Sequence, residues 1–416
     1  MNYSKLSLLV LCMTISYSSG EELIEFHEKV MDILRNEIYS RTILPPLGQN
    51  ETQRKILINL GLREIETLDD RRMELKAQFS LRQKWSDTRL QYDTSSKNGY
   101  VTIHTDSNYR PWMPDTFVHN EKEAMVHSTT RPNSFFRIYP NGSILHSVRL
   151  STTISCLMDL RRFPFDEQHC EIRLASYAYP KSTLELNWDP MFSLEMIGSQ
   201  HHMTQFKLVG QVVGRCLMSH VATGEYSTIY VILSFRREIG YYIIQYFIPI
   251  GMCVALTWIS FWLGPAIEAR LSLTVTVLLT LTTQVSGITG TMSQVSYATA
   301  FSTFTGISTT FAVLSIVQSA YVFTIIRRNQ FHTLVSPPRM VEIVGSNHKS
   351  VEYGEGDGSQ KVTPRSALRL DLISKILFPT LYILFIITYT IVYYAFPASK
   401  YGYVAKDNAS CKRQVM

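Results

Sequence analysis

The chain has 416 residues, a formal net charge of +6 and 45% hydrophobic residues, long enough for two or three domains. Charged residues crowd the first half and become rare beyond Glu238. A soluble enzyme has no reason for that division, whereas a membrane protein needs it, because charge at bilayer depth is costly. The Lys and Arg residues form no long basic run and no aromatic–basic stripe, which argues against a nucleic-acid partner. No nucleophile–base set or metal-spaced cluster points to an enzyme, a metal or another cofactor.

The first 20 residues have the form of a secretory signal: Lys5, an apolar run from Leu6 to Ile15, then Ser18-Ser19-Gly20. The run is too short for a spanning helix. Export would put the next segment in an oxidising compartment, where cysteines pair. Of the six cysteines, Cys12 falls in the signal and Cys253 in an apolar span, leaving Cys156, Cys170, Cys216 and Cys411.

Residues 21 to about 45 carry helical periodicity through Leu23, Phe26, Val30, Ile33 and Leu34, with Pro45-Pro46 as the stop. Short alternating runs then recur, among them Met73–Phe79, Phe135–Tyr139 and Tyr230–Phe235. Turn signals at Asn98-Gly99, Pro140-Asn141-Gly142 and Thr223-Gly224 separate them. That spacing predicts an antiparallel β-sandwich over residues 21–240.

After Gly240 the pattern changes. No Asp, Glu, Lys or Arg occurs from Ile239 to Ile267, from Leu271 to Ile326, or from Ile376 to Ser399. The first and third stretches each fit one spanning helix, and the middle one must turn near Ser286–Ser296. The chain therefore reads as an α+β membrane protein, an extracellular sandwich joined to a four-helix transmembrane bundle. Residues 241–326 hold three spans, the second at about 270–291. A short cytoplasmic loop covers 327–371, the fourth span 372–396, and an extracellular tail 397–416. Arg327, Arg328, Arg339, Lys349, Lys361, Arg365 and Arg369 in the loop agree with the positive-inside rule. The sequons at Asn50, Asn141 and Asn408 all fall outside. The expected location is the plasma membrane, in contact with lipid, with both termini extracellular.

The second span carries an unusual number of hydroxyls. At helical spacing Ser272, Thr276, Leu279, Thr283 and Ser286 share a face, polar but for Leu279. Several copies around an axis would make a water-filled path for a permeant inorganic ion with one apolar constriction. Small residues also suit helix–helix packing, and the residue pattern leaves the two readings open.

The run from Cys156 to Cys170, with Met158-Asp159-Leu160 and Phe163-Pro164-Phe165-Asp166 inside it, resembles the signature loop of the Cys-loop receptors, the pentameric ligand-gated ion channels. Trp112–Phe117, Trp188 and Arg237–Tyr241 match as well, and the resemblance runs from about residue 25 to 396. It is strongest to the glycine, GABA-A and glutamate-gated chloride branch. The resemblance implies a Cys156–Cys170 disulfide, a homo- or hetero-pentamer, and a small-molecule agonist held between subunits. It also implies that Phe163, Pro164, Phe165 and Asp166 couple binding to opening by pressing on the linker near Gln294–Tyr297, with Arg237 behind them.

Carried over position by position, Arg82 matches an arginine that grips the agonist carboxylate, which suits a planar guanidinium. Ser147 matches a hydroxyl beside it. Phe117, Tyr177 and Tyr226 match an aromatic box able to hold an amine, and Thr223 a residue of the capping loop. Ala175 replaces a common glutamate and Val221 a common aromatic. Ser227 replaces a second-disulfide cysteine, so Cys216 is expected as an unpaired thiol. At the pore mouth Ile267-Glu268-Ala269-Arg270 departs from the Pro-Ala-Arg of anion channels, and a ring of Glu268 would favour cations. Family resemblance predicts chloride; local charge predicts cations. Two more readings stay open. One is gating by protons or zinc through His201, His202 and His220, and the other is a structural subunit that binds nothing.

Overall fold

The computed structural model describes residues 27–48, 52–93, 99–197, 203–220, 222, 224–264, 266–335, 365–395 and 411–415. The signal segment, Asn50, His201, His202, Val221, Thr223, most of the 327–371 loop and Asn408 lie outside the described residues. The chain divides into two compact units. One comprises Met1–Asp159, Glu167–Arg237 and Lys400–Met416, the other Leu160–Asp166 and Glu238–Ser399.

The first unit opens with a helix, α1, over residues 27–35, which buries Val30 and Leu34. It stops well before Pro45, because the Asn36 side chain accepts from the Ile38 amide (3.1 Å) and offers the backbone a turn in place of a further helical bond. Twelve strands come next: β1 Arg54–Asp69, β2 Glu74–Ser86, β3 Val101–His104, β4 Thr116–Val118, β5 Glu121–Val126, β6 Ser134–Ile138, β7 Ser143–Ser155, β8 Glu167–Ser176, β9 Leu184–Trp188, β10 Leu194–Met196, β11 Phe206–His220 and β12 Gly224–Arg237.

One sheet runs β10-β1-β2-β7-β6-β3, with β5 also on β7 and β9 also on β1; the other contains β11-β12-β8-β4. Pairing is antiparallel except that β9 and β10 run parallel to β1. Period-two burial of Ile56, Ile58, Leu60 and Leu62 on β1 and of Leu75, Ala77, Phe79 and Leu81 on β2 supplies one face of the core. Each fully buried large side chain contributes about 1.5–3 kcal/mol. Trp188 Nε1 donates to the Gly214 carbonyl (2.9 Å) and Thr116 Oγ1 to Gln83 Oε1 (2.8 Å), so polar groups bridge the two sheets. Gly142, at φ +74°, closes the β6–β7 turn in a conformation that favours glycine.

The C-terminal strand, β13 (Cys411–Val415), adds to the edge of the second sheet, antiparallel to β11, with Met218 opposite Cys411 and Cys216 opposite Arg413. Cys216 is disulfide-bonded, which corrects the unpaired thiol expected from Ser227. The β11–β12 hairpin offers it no second cysteine, since Thr228 stands opposite Cys216 and Ser227 opposite Leu217.

The second unit holds four helices long and apolar enough to cross a membrane: Gly240–Trp262, Glu268–Gly290, Ala300–Asn329 and Arg365–Tyr394. At about 1.5 Å per residue, even the 23-residue ones exceed a hydrocarbon core of about 30 Å. We label the first helical stretch α2 (Gly240–Trp262), then α3 (Ile267–Thr291), α4 (Ala300–Val335) and α5 (Arg365–Thr390). A π-helical turn at Ile243–Phe247 precedes Pro249, where the missing N–H and the ring would disturb regular α-helix. Small polar groups join the helices in place of a hydrophobic drive: Thr257 with Ser315 (3.3 Å), Ser308 with Tyr382 (3.1 Å), and Tyr389 Oη donating to the Ala300 carbonyl (3.0 Å).

Candidate functional site

Three places carry the residues singled out in the sequence. The first is the exposed surface of both sheets. In the first sheet, antiparallel register sets Arg82 of β2 directly opposite Ser147 of β7 and Asn59 of β1. The two matched residues are therefore cross-strand neighbours on one face. Arg82 is half-buried and already engaged: Nη1 donates to Asn59 Oδ1 (2.9 Å) and forms an ion pair with Glu195 of β10.

In the second sheet, Phe117 pairs with Ala175, and Ala175 with Thr228. Tyr177 and Tyr226 each lie two residues farther along, on the same face by the period of two. The Phe117 and Tyr177 rings meet edge to face at 5.7 Å, and Tyr177 remains 77% exposed. Tyr226 stacks edge-on with His220 (5.7 Å), and Phe117 with His119 (6.0 Å). Burial, then the charges of Arg173 and His220, hold His119 below the ordinary histidine range, so it is neutral at pH 7. Among the described residues no group of three or more metal-ligating side chains gathers.

The second place is the loop closed by the Cys156–Cys170 disulfide, which the structure contains. Its tip, Leu160–Asp166, packs with the helices of the second unit. The first amides of α4 lack intrahelical partners; here Ala300 N donates to the Arg161 carbonyl (2.8 Å) and Phe301 N to the Phe163 carbonyl (3.1 Å). Phe163 is buried between Tyr242 (5.1 Å) and Phe301 (6.3 Å), and Phe165 lies against Phe247 and Tyr389. Tyr297 Oη accepts from the Leu160 amide (2.9 Å). Pro164 follows a cis peptide bond and Asp166 is buried. In the first unit, Arg237 is buried against Asp70 of the β1–β2 turn (3.0 Å) and the Phe206 ring.

The third place is α3. Its buried residues, Arg270, Thr274, Val277, Leu281 and Ile288, form one helical stripe. Glu268, Ser272, Thr276, Leu279 and Thr283 lie off that stripe, with Leu279 64% exposed. The threonines bond back to their own helix, Thr276 Oγ1 to the Ser272 carbonyl (2.8 Å) and Thr283 Oγ1 to that of Thr280 (2.9 Å). Their donors are satisfied and their acceptor lone pairs face outward. Arg270 does not share that face, although the sequence sets it beside Glu268 and Ala269. It is 1% exposed and forms a fork with Asp371 of α5, Nη1 to Oδ2 at 3.0 Å and Nη2 to Oδ1 at 2.9 Å.

Comparison with known proteins gives these places a common meaning. Residues 27–239 match the family model of the neurotransmitter-gated ion-channel ligand binding domain, and residues 246–343 that of the neurotransmitter-gated ion-channel transmembrane region. The chain belongs to the neurotransmitter-gated ion-channel family. It is 40% identical over 303 residues to the glutamate-gated chloride channel of Drosophila melanogaster, covering 72% of this chain and 65% of that one. Against the human gamma-aminobutyric acid receptor subunit rho-3 it is 31% identical over 292 residues, covering 69% and 62%. The glutamate-gated chloride channel subunit beta of Haemonchus contortus is 31% identical over 305 residues, covering 71% and 70%. The match thus spans somewhat less than two thirds of the first two relatives.

Asp371 and Glu195 are among the contributors that the sequence does not single out, as are Asn59 and His119. Asp371 carries a signal: it is the one acid on a helix whose other charges, Arg365, Arg369 and Lys375, are basic. Glu195 carries none, since a glutamate in a short edge strand is ordinary. Its role depends on β10 lying two strands from Arg82. Asn141 is exposed in a turn, where its Oδ1 accepts from the Ser143 amide (3.0 Å).

Proposed function

We propose that this chain is a subunit of a pentameric ligand-gated chloride channel of the plasma membrane, opened by a small molecule bound between neighbouring subunits. The observation that carries this reading is the outward stripe of α3. Ser272, Thr276 and Thr283 turn hydroxyl oxygens outward, and Leu279 interrupts them with one large apolar side chain. Five such stripes around an axis make a polar pore with a band that closes by dewetting.

Arg82 and Ser147 on one subunit take the carboxylate of the ligand, while Phe117, Tyr177 and Tyr226 of the next take its amine through their ring faces. Thr223 belongs to the loop that covers it. The Phe163–Asp166 segment, continuous with β7 and β8 through the disulfide, transmits the change to the start of α4. The carbonyls of Arg161 and Phe163 that hold that helix end support this role. A ligand shifts the closed–open equilibrium by its difference in affinity for the two states.

Chloride conduction is supported by the names of two of the three relatives quoted. A second reading, cation selectivity, is favoured by one observation. Glu268 is exposed one turn before Ser272 and among the described residues has no ion-pair partner, while Arg270 is committed to Asp371. A ring of five carboxylates attracts cations. Voltage clamp of cells expressing the chain tests both readings. A current whose reversal tracks external chloride supports the proposal, and one that tracks sodium and ignores chloride replaces it with the cation reading.

A further inference from the structure

Arg82 of the ligand face already holds a carboxylate of its own subunit. Glu195 Oε2 and Asn59 Oδ1 share its Nη1, and the three residues come from the adjacent strands β10, β1 and β2. The arrangement is built rather than incidental. Asn59 is buried, and its Nδ2 donates to the Phe192 carbonyl (2.5 Å), so its amide is oriented with oxygen toward Arg82. Leu60 N donates to the Ser193 carbonyl (3.0 Å), and Gly61 stands in register with Glu195, which fixes β10 beside β1. Among the described residues Arg82 is the one cation within ion-pair reach of Glu195, and the Nε and Nη2 of Arg82 have no partner. The guanidinium therefore presents an open edge for one more carboxylate, but its charge is already balanced.

We propose that Glu195 is a resident carboxylate that sets the ligand class, restricting the site to molecules without net negative charge. This inference rests on reading the Arg82 face as part of the ligand site. A zwitterion puts its single carboxylate on the open edge of Arg82 and its ammonium among the aromatic rings. A second carboxylate meets Glu195 with no cation left to offset it, and a ligand that covers the site excludes the water that would screen the two. Dicarboxylic amino acids are thus disfavoured and monocarboxylic amino acids admitted.

The test is voltage clamp of the full chain in the Leu279→Thr background, with L-glutamate, glycine and 4-aminobutyrate as probes. Constitutive current in that background reports pore formation without any ligand, so loss of the channel reading and loss of this inference are separate results. Glu195→Gln is expected to raise glutamate sensitivity on the order of tenfold relative to 4-aminobutyrate and glycine, and Glu195→Asp to keep the original ratio. An unmoved ratio, no glutamate response in the Glu195→Gln chain at surface levels equal to the parent, or equal loss of response to all three probes overturns the proposal. The last outcome would make Glu195 a brace for Arg82 and nothing more.

Discussion

Replacing Asp371 with Asn tests the buried ion pair through which Arg270 anchors α3 to α5. Arg270 is buried and its partners are countable: both oxygens of Asp371, Gln318 Oε1 (3.3 Å) and the Gly264 carbonyl (3.3 Å). Gln318 also donates to Asp371 Oδ1 (3.0 Å), which ties α3, α4 and α5 into one cluster. Among the described residues the Arg270 Nε is buried without a partner. Asn keeps the shape and one acceptor but removes the negative charge, leaving a buried cation uncompensated. Breaking such a pair from one side costs about 3–5 kcal/mol, roughly two to four decades in the folded fraction. Thermal melting of the detergent-solubilised full chain, with surface labelling in cells, reads this directly. Asp371→Asn should melt markedly lower, and Arg270→Met combined with Asp371→Leu should lose far less, because removing both partners leaves no orphan charge. An unchanged melting temperature in Asp371→Asn, with a shifted reversal potential, would rule out the anchor. It would mean that the Arg270 charge is felt in the ion path rather than spent on the anchor.

Two further outcomes rest on the same kind of argument. Phe163→Ala removes a buried ring between Tyr242 and Phe301, a loss of about 3–5 kcal/mol; ligand-evoked current should fall while the Cys156–Cys170 disulfide and surface labelling persist, and normal gating would exclude the loop from coupling. His146 is buried, stacked on Phe136 and bonded to Ser134, and burial pushes its pKa from 6.5 down to about 4. Because the unfolded chain binds this proton first, stability is complete above about pH 6.5 and declines as pH falls toward 4, by about 3 kcal/mol in all. Melting curves of His146→Gln should lack that part of the acid limb, and an identical limb in the two proteins would place the titration elsewhere.

Much of the architecture is written locally. The strands announce themselves through residues such as Leu75, Ala77, Phe79 and Leu81, whose alternation needs no partner to be read. The spans show in their lack of charge. The stripe of α3 is equally local, because 3.6-residue periodicity alone puts Ser272, Thr276, Leu279 and Thr283 together. Arg270 shows where this ends. Sequence places it beside Glu268 at the pore mouth, yet two residues are about 200° of helix rotation, and Asp371 on another helix decides which way its side chain goes. Glu195 is of the same kind. It depends on β10, a three-residue strand brought to the sheet by long-range pairing and too short to be visible as a pattern.

On the proposed function, five copies of the α3 stripe line an ion path closed at Leu279. Current through cells expressing Leu279→Thr, recorded without ligand while external chloride and then sodium are replaced, tests it most directly. A standing current is expected, absent from the parent chain, with a reversal potential that moves with chloride. A Leu279→Thr chain that reaches the surface and conducts no more than its parent would contradict it.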